Sequence, residues 1–121
     1  MRPSFHTPVT TSESRDEVCV TVTQISSRDS DVVVGVWKDG RIGVVRVVRP
    51  YGDYGVVALR ERDAVVQHPI RVGYAALDAK IGEFFRTGIP PVPNSETLEI
   101  FAFMDAAQRS KAEGGKPMRL R

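Results

Sequence analysis

The sequence predicts an α+β domain: a mainly antiparallel open sheet of about five or six strands, with two C-terminal helices packed on one face. Three features predict it. From Glu17 to His68 the apolar residues recur with a period of two in runs rich in valine. The connections between those runs are too short for parallel crossovers, which favours antiparallel neighbours. After Gly73 the period changes to that of an amphipathic helix.

The first strand is set by Val18, Val20 and Val22 alternating with Cys19, Thr21 and Thr23. The second runs from Asp31 to Lys38, with Val32, Val34 and Val36 on one face and Val33, Gly35 and Trp37 on the other. Asp39-Gly40 follows, and between two such runs it predicts a type I′ hairpin with positive φ at both central residues. Arg41 to Arg49 is the return strand. Valines on both faces of this pair predict that both sides of the sheet are covered. Pro50-Tyr51-Gly52-Asp53 breaks the pattern. Tyr54 to Arg60 resumes it, Glu61-Arg62-Asp63 turns it, and Ala64 to His68 forms a short strand that Pro69 ends or marks as an edge.

Leu77, Ile81, Phe84 and Phe85 form one stripe of a helix that ends at Thr87, with Gly88 as a left-handed cap. Ile89 to Asn94 contains Pro90, Pro91 and Pro93 and is not helical throughout. Ser95 suits the N-cap of a second helix, and Glu96 and Glu99 suit the positive end of its dipole. Leu98, Ile100, Phe101, Phe103, Met104, Ala106 and Ala107 cover most of its circumference, which predicts a deeply buried helix. Gly114-Gly115 stops it, leaving Pro117 to Arg121 for a short last strand.

The chain of 121 residues fits one domain with a core of its own, residues 17–121, behind a loose segment 1–16 rich in Ser, Thr, Pro and charge. A net charge of +2 gives no argument for nucleic acid or a membrane surface. The arginines Arg41, Arg46, Arg49, Arg60 and Arg62 do not make one stripe, because Arg46 points away from Arg41 and Arg49, and acidic residues interrupt them. The single cysteine, Cys19, excludes an internal disulfide framework and fits a reducing, cytoplasmic compartment. No apolar run reaches the roughly 18 residues of a membrane helix.

Few residues invite chemistry. Cys19 lies in a valine-rich strand and reads as a small core residue. His6 lies in the loose segment, and His68 at a strand end reads as structural. Two separated histidines and one cysteine have no metal-ligand spacing. Arg46, Arg49, Tyr51, Asp53 and Tyr54 form a polar and aromatic cluster flanked by glycines. Two readings fit it: an ordinary turn with solvated arginines, or a wall that meets a sugar-like substrate through hydrogen bonds and a flat ring. Arg46, Arg49, Tyr51 and Tyr54 are the substrate-binding candidates, and no catalytic, cofactor-binding or metal-binding residue is assigned. Val33, Trp37, Val57 and Leu59 also allow two readings, a core cluster or an uncovered apolar sheet face through which the chain self-associates.

From Tyr74 to Leu120 the order of residues is distinctive. Tyr74-Ala-Ala-Leu precedes Ile81-Gly-Glu-Phe-Phe-Arg-Thr-Gly88 and Pro90-Pro-Val. Then come Glu96-Thr-Leu-Glu-Ile-Phe-Ala-Phe-Met-Asp-Ala-Ala107, Ser110-Lys, Gly114-Gly115, Pro117 and Leu120. This stretch resembles the C-terminal end of the Gfo/Idh/MocA oxidoreductases, with a looser likeness back through Asp39-Gly40 and Arg41-Ile42-Gly43. The resemblance implies the later part of a substrate-binding and oligomerisation domain, an open sheet with helices on one face and a partner subunit on the other. It implies NAD or NADP in the intact enzyme and hydride transfer to or from a sugar, cyclitol or related hydroxy compound. The nucleotide-domain signatures of that family do not occur here. There is no Gly-x-Gly-x-x-Gly, the one Lys-Pro is Lys116-Pro117 in the C-terminal tail, and no segment matches the family's Asp/His pair. By this resemblance the chain alone is inactive; the alternative is a stand-alone dimerising module without catalytic activity.

Overall fold

The computed structural model describes residues 18–50 and 52–121; the segment 1–16, with its expected looseness and His6, lies outside the described residues. The elements are β1 (Cys19–Ser26), β2 (Ser30–Trp37), β3 (Ile42–Val48), β4 (Val56–Leu59), β5 (Ala64–Gln67), α1 (Ala75–Thr87), α2 (Asn94–Ala112) and β6 (Met118–Arg119). Every pairing is antiparallel, so the chain has the expected α+β class with its two helices toward the C-terminus. The strands do not form one meander. They divide into a four-stranded sheet in the order β3-β2-β1-β6 and a separate two-stranded ribbon, β4-β5. The break falls where Pro50 supplies no amide. The ribbon then closes on itself: Arg60 N–H donates to the Asp63 carbonyl at 2.9 Å, and the Arg60 guanidinium grips the Asp63 carboxylate.

The β2–β3 hairpin forms as expected, but its turn is not type I′. Gly40 has φ 91°, and no non-glycine residue among those described has positive φ. Gly40 N–H donates to the Trp37 carbonyl and Trp37 N–H to the Arg41 carbonyl, which closes a three-residue loop with glycine in the left-handed position. The Asp39 carboxylate accepts from both the amide and Nε of Arg41, which stabilises this longer loop.

A bulge between Cys19 and Thr21 interrupts the alternation expected along β1. It places Cys19 and Val22 on the same covered face, where both are buried. With Ala106 and Ala107 of α2 they form the core, joined by Val33, Trp37, Phe103, Met118 and Leu120. The Trp37 and Phe103 rings stack with centroids 6.2 Å apart. They lie over Gly35 and Gly43, which face each other across β2 and β3. The trough left by two missing side chains admits the indole.

The helix α2 begins at Asn94, one residue before the expected cap at Ser95; extended Pro93 precedes it, and its carbonyl accepts the amides of Glu96 and Thr97. The expectation of a helix buried all round is corrected. Only Ala106, Ala107 and Ser110 are buried, while Leu98, Ile100, Phe101 and Met104 stand exposed. Small side chains let the helix axis approach β1 closely; Phe103 packs on Trp37, and Leu98, Ile100, Phe101 and Met104 point away. Two polar contacts tie helix to strand. The Ser110 hydroxyl accepts from the buried Gln24 amide at 2.9 Å, and Glu99 Oε1 accepts from the Cys19 amide at 3.0 Å. Ser110→Ala leaves the Gln24 N–H buried without a partner, and urea denaturation is expected to show a loss of about 1–3 kcal/mol.

Past α2, Gly114 and Gly115 take φ of 72° and 92°, which favours residues without a Cβ. Gly115 N–H donates to the Ser110 carbonyl, and the chain reverses so that Met118 and Arg119 pair with Val22 and Thr21. The short last strand is therefore present. At the other helix, Gly88 is the left-handed cap expected, with its amide donating to the Phe84 carbonyl. Yet α1 does not lie on the sheet: no residue of it is buried, and the stripe of Leu77, Ile81, Phe84 and Phe85 faces solvent. The stripe specifies a helix with one apolar face, and no strand of this sheet covers it.

Candidate functional site

The described members of the polar cluster expected after the third strand do not converge. Arg49 is committed to structure. Its amide donates to the Asp29 carbonyl at 2.8 Å, its Nη2 to the Ser27 carbonyl at 2.6 Å and its Nε to the Arg28 carbonyl at 3.2 Å, while Nη1 pairs with the Asp31 carboxylate. The guanidinium therefore clamps the β1–β2 turn. Arg46 stands opposite Val32 in the ladder, on the other face of the sheet from the pair Asp31–Val47. Tyr51 lies outside the described residues. Tyr54 is exposed; its amide donates to Asp53 Oδ1 at 3.1 Å and its carbonyl accepts from the Ile70 amide at 2.7 Å. With Asp53, Ile70, Arg71, Val72 and Gly73 it lines a shallow open depression. Arg46 and Arg49 thus address different surfaces, and Tyr54 belongs to a third.

The Arg49 hydrogen bond holds the Asp31 carboxyl below its ordinary value of 3.8, and Asp31 in turn raises Arg49. The folded state then binds fewer protons than the unfolded state in this range. The stabilisation is complete above the ordinary carboxylate value and is lost as pH falls through the lowered one. The stability difference between the wild type and Asp31→Asn is expected to be constant near neutrality. It should close as pH falls below about 4, as read by chemical denaturation at a series of pH values.

Cys19 is a core residue. It is 2% exposed, and its thiol contacts the carbonyls of Thr21 and Val36 at 3.6 Å. Burial pushes its pKa above the ordinary 9.0, and the charge of Glu99 adds to the effect. The protonated, inaccessible thiol is no nucleophile at neutral pH. His68 follows β5 and lies against Gly55, where a Cβ would meet His68 Cδ2 at 2.7 Å. Among the described residues no group of three or more His, Cys, Asp or Glu side chains is close enough to hold a metal ion. No helix among them is long and apolar enough to cross a membrane.

The apolar surface proves more informative than the polar cluster, and it is not the one the sequence suggests. Val33 and Trp37 belong to the core, and Val57 and Leu59 lie on the separate ribbon. On its own side of the main sheet α2 covers β1 and β6 and reaches β2 through Phe103, while Val45 and Val47 of β3 stay exposed. The face with no helix over it is the opposite one. There Val36 faces Ile42, Val34 faces Val44 and Val32 faces Arg46, with Thr21, Thr23 and Ile25 of β1 alongside. Ile42 is 68% exposed, Val44 61% and Ile25 63%, so this face is open to solvent as well as apolar. Alternation along β2 separates the two faces but does not say which one α2 covers. The signal that does so is the Gly35–Gly43 pair, since only that side has room for stacked rings.

Comparisons with protein-family models, with curated proteins and with solved structures return no match.

Proposed function

We propose that this chain is the substrate-side and oligomerisation part of a cytoplasmic NAD(P)-dependent oxidoreductase of the Gfo/Idh/MocA type. In the intact enzyme the reaction is hydride transfer between the nicotinamide and a sugar, cyclitol or related hydroxy compound. The resemblance over Tyr74 to Leu120 supports the family, and the apolar face around Val34, Val36, Ile42 and Val44 carries the oligomerisation role. A face of this kind, with Arg46 as the one charged residue of β3, favours a partner surface over water. Tyr54, at the depression beside Ile70, is the substrate-side candidate of this reading, whereas Arg46 lies on the face given to the partner. The nucleotide belongs to a Rossmann domain outside this sequence, because orienting a hydride donor takes the cofactor's own binding crevice.

The experiment is a calorimetric titration of the chain with NAD+ and NADP+, then of a protein that joins it to its nucleotide domain. The chain alone is expected to give no binding heat and the joined protein to bind. Micromolar affinity for the chain alone contradicts the proposal. The open face also suits a stand-alone dimerising module, and the reading frame upstream of Met1 separates the two. An in-frame Rossmann segment supports the enzyme; a ribosome-binding site directly before Met1 supports the module.

A further inference from the structure

Beyond association through the sheet's face, we infer that β3 pairs edge to edge with β3 of a second copy of the chain. Among the described residues nothing pairs with the outer edge of β3, the last strand of its sheet. Its polarity is fixed by the bonds at either end of the hairpin. Trp37 N–H donates to the Arg41 carbonyl and Arg49 N–H to the Asp29 carbonyl. In an antiparallel ladder such positions alternate. Gly43, Val45 and Val47 therefore turn their backbone groups toward β2. Ile42, Val44, Arg46 and Val48 turn theirs outward. The strand is seven residues long, without proline, lysine or bulge, so it lacks most of the features that keep edges apart.

A second copy brings the same open, apolar edge, and the charge pattern then selects the register. A two-fold axis through Val45 sets Ile42 opposite the copy's Val48, and Val44 opposite its Arg46. All four outward positions then meet outward positions. Moving the axis to Arg46 would bring two guanidiniums face to face, and moving it to Val44 would leave Val48 overhanging. An odd shift would set outward groups against inward ones, so no ladder would form. The pairing through Val45 keeps each side chain on its own face. Both copies of α2 then lie on the same side of one eight-stranded sheet, twice the four strands of the main sheet.

Val45 meets its own copy in a non-hydrogen-bonded pair, where Cα atoms are about 4.5 Å apart, within disulfide range. Val47 instead meets Gly43. Under mild oxidation Val45→Cys is expected to form a reducible dimer roughly tenfold or more faster than Val47→Cys, as disulfide geometry demands. Both positions are exposed, and native Cys19 is buried and does not compete. Crosslinking of Val45→Cys should persist when Val34→Thr and Val36→Glu spoil the sheet's face, which separates this contact from the face association. Val44→Pro removes an outward amide without touching the β2 ladder, and is expected to weaken edge association about tenfold. Equal crosslinking at the two positions overturns the inference, as does loss of crosslinking with the face variant. So does protection of the Ile42, Val44 and Arg46 amides from exchange in a dilute monomer, which would assign the edge to another part of the same chain.

Discussion

Gly35→Val is expected to cost about 1–3 kcal/mol of stability through overpacking. A Cβ at Gly35 meets Phe103 Cε2 at 2.7 Å and Trp37 Cζ3 at 2.8 Å. Both rings are constrained. Trp37 lies in the trough above Gly35 and Gly43, and Phe103 stacks on it from α2. Neither can yield without parting the helix from the sheet, and larger groups at Gly35 make this worse. Trp37 is the one tryptophan of the chain, so its fluorescence reports the displacement directly. The emission should shift to the red in the folded variant, and the urea midpoint should fall. Phe103→Ala, costly alone, is expected to restore part of the loss when combined with Gly35→Val, because it removes one of the two atoms in collision.

Ala106→Leu is expected to be comparably damaging, about 1–3 kcal/mol, whereas Phe101→Ala in the monomer should stay within about 0.5 kcal/mol. Ala106 has no exposed surface and faces β1, where the helix comes close because its contact residues are small. An isobutyl group there pushes α2 outward, strains the Ser110–Gln24 and Glu99–Cys19 bonds, and opens the core around Val22. Phe101 is 62% exposed and has little contact to lose. Thermal denaturation of the two variants checks the direction. Equal losses, or a larger one for Phe101→Ala, would mean that α2 sits on the sheet by its other side.

These two residues also show what the sequence made legible. The period-two valine runs located β1, β2 and β3, and Asp39-Gly40 located the hairpin, because strand alternation and turn preference are local properties. Gly88 and Gly114-Gly115 marked the helix ends for the same reason. What resisted reading was non-local. An apolar count around α2 cannot tell that alanines, rather than Phe101 and Met104, make the contact with β1. The Cys19–Thr21 bulge leaves no mark in the composition of β1 but moves Cys19 onto the core side. The cluster of Arg46, Arg49 and Tyr54 looked continuous along the chain, yet ladder parity and the carbonyls of Ser27 and Arg28 send its members to different places. Likewise the stripe on α1 announced a helix without naming what it packs against.

We propose that α2 covers β1 and β6 on one side of the four-stranded sheet, and that another protein surface covers the opposite side. Sedimentation equilibrium of the wild type beside Val34→Thr/Val36→Glu tests it most directly, since both substitutions lie on the central strand β2, away from either edge. The wild type is expected to show a mass above that of the monomer and above that of the variant at the same concentration. Equal masses for the two proteins, or a wild type that stays monomeric as concentration rises, would contradict it.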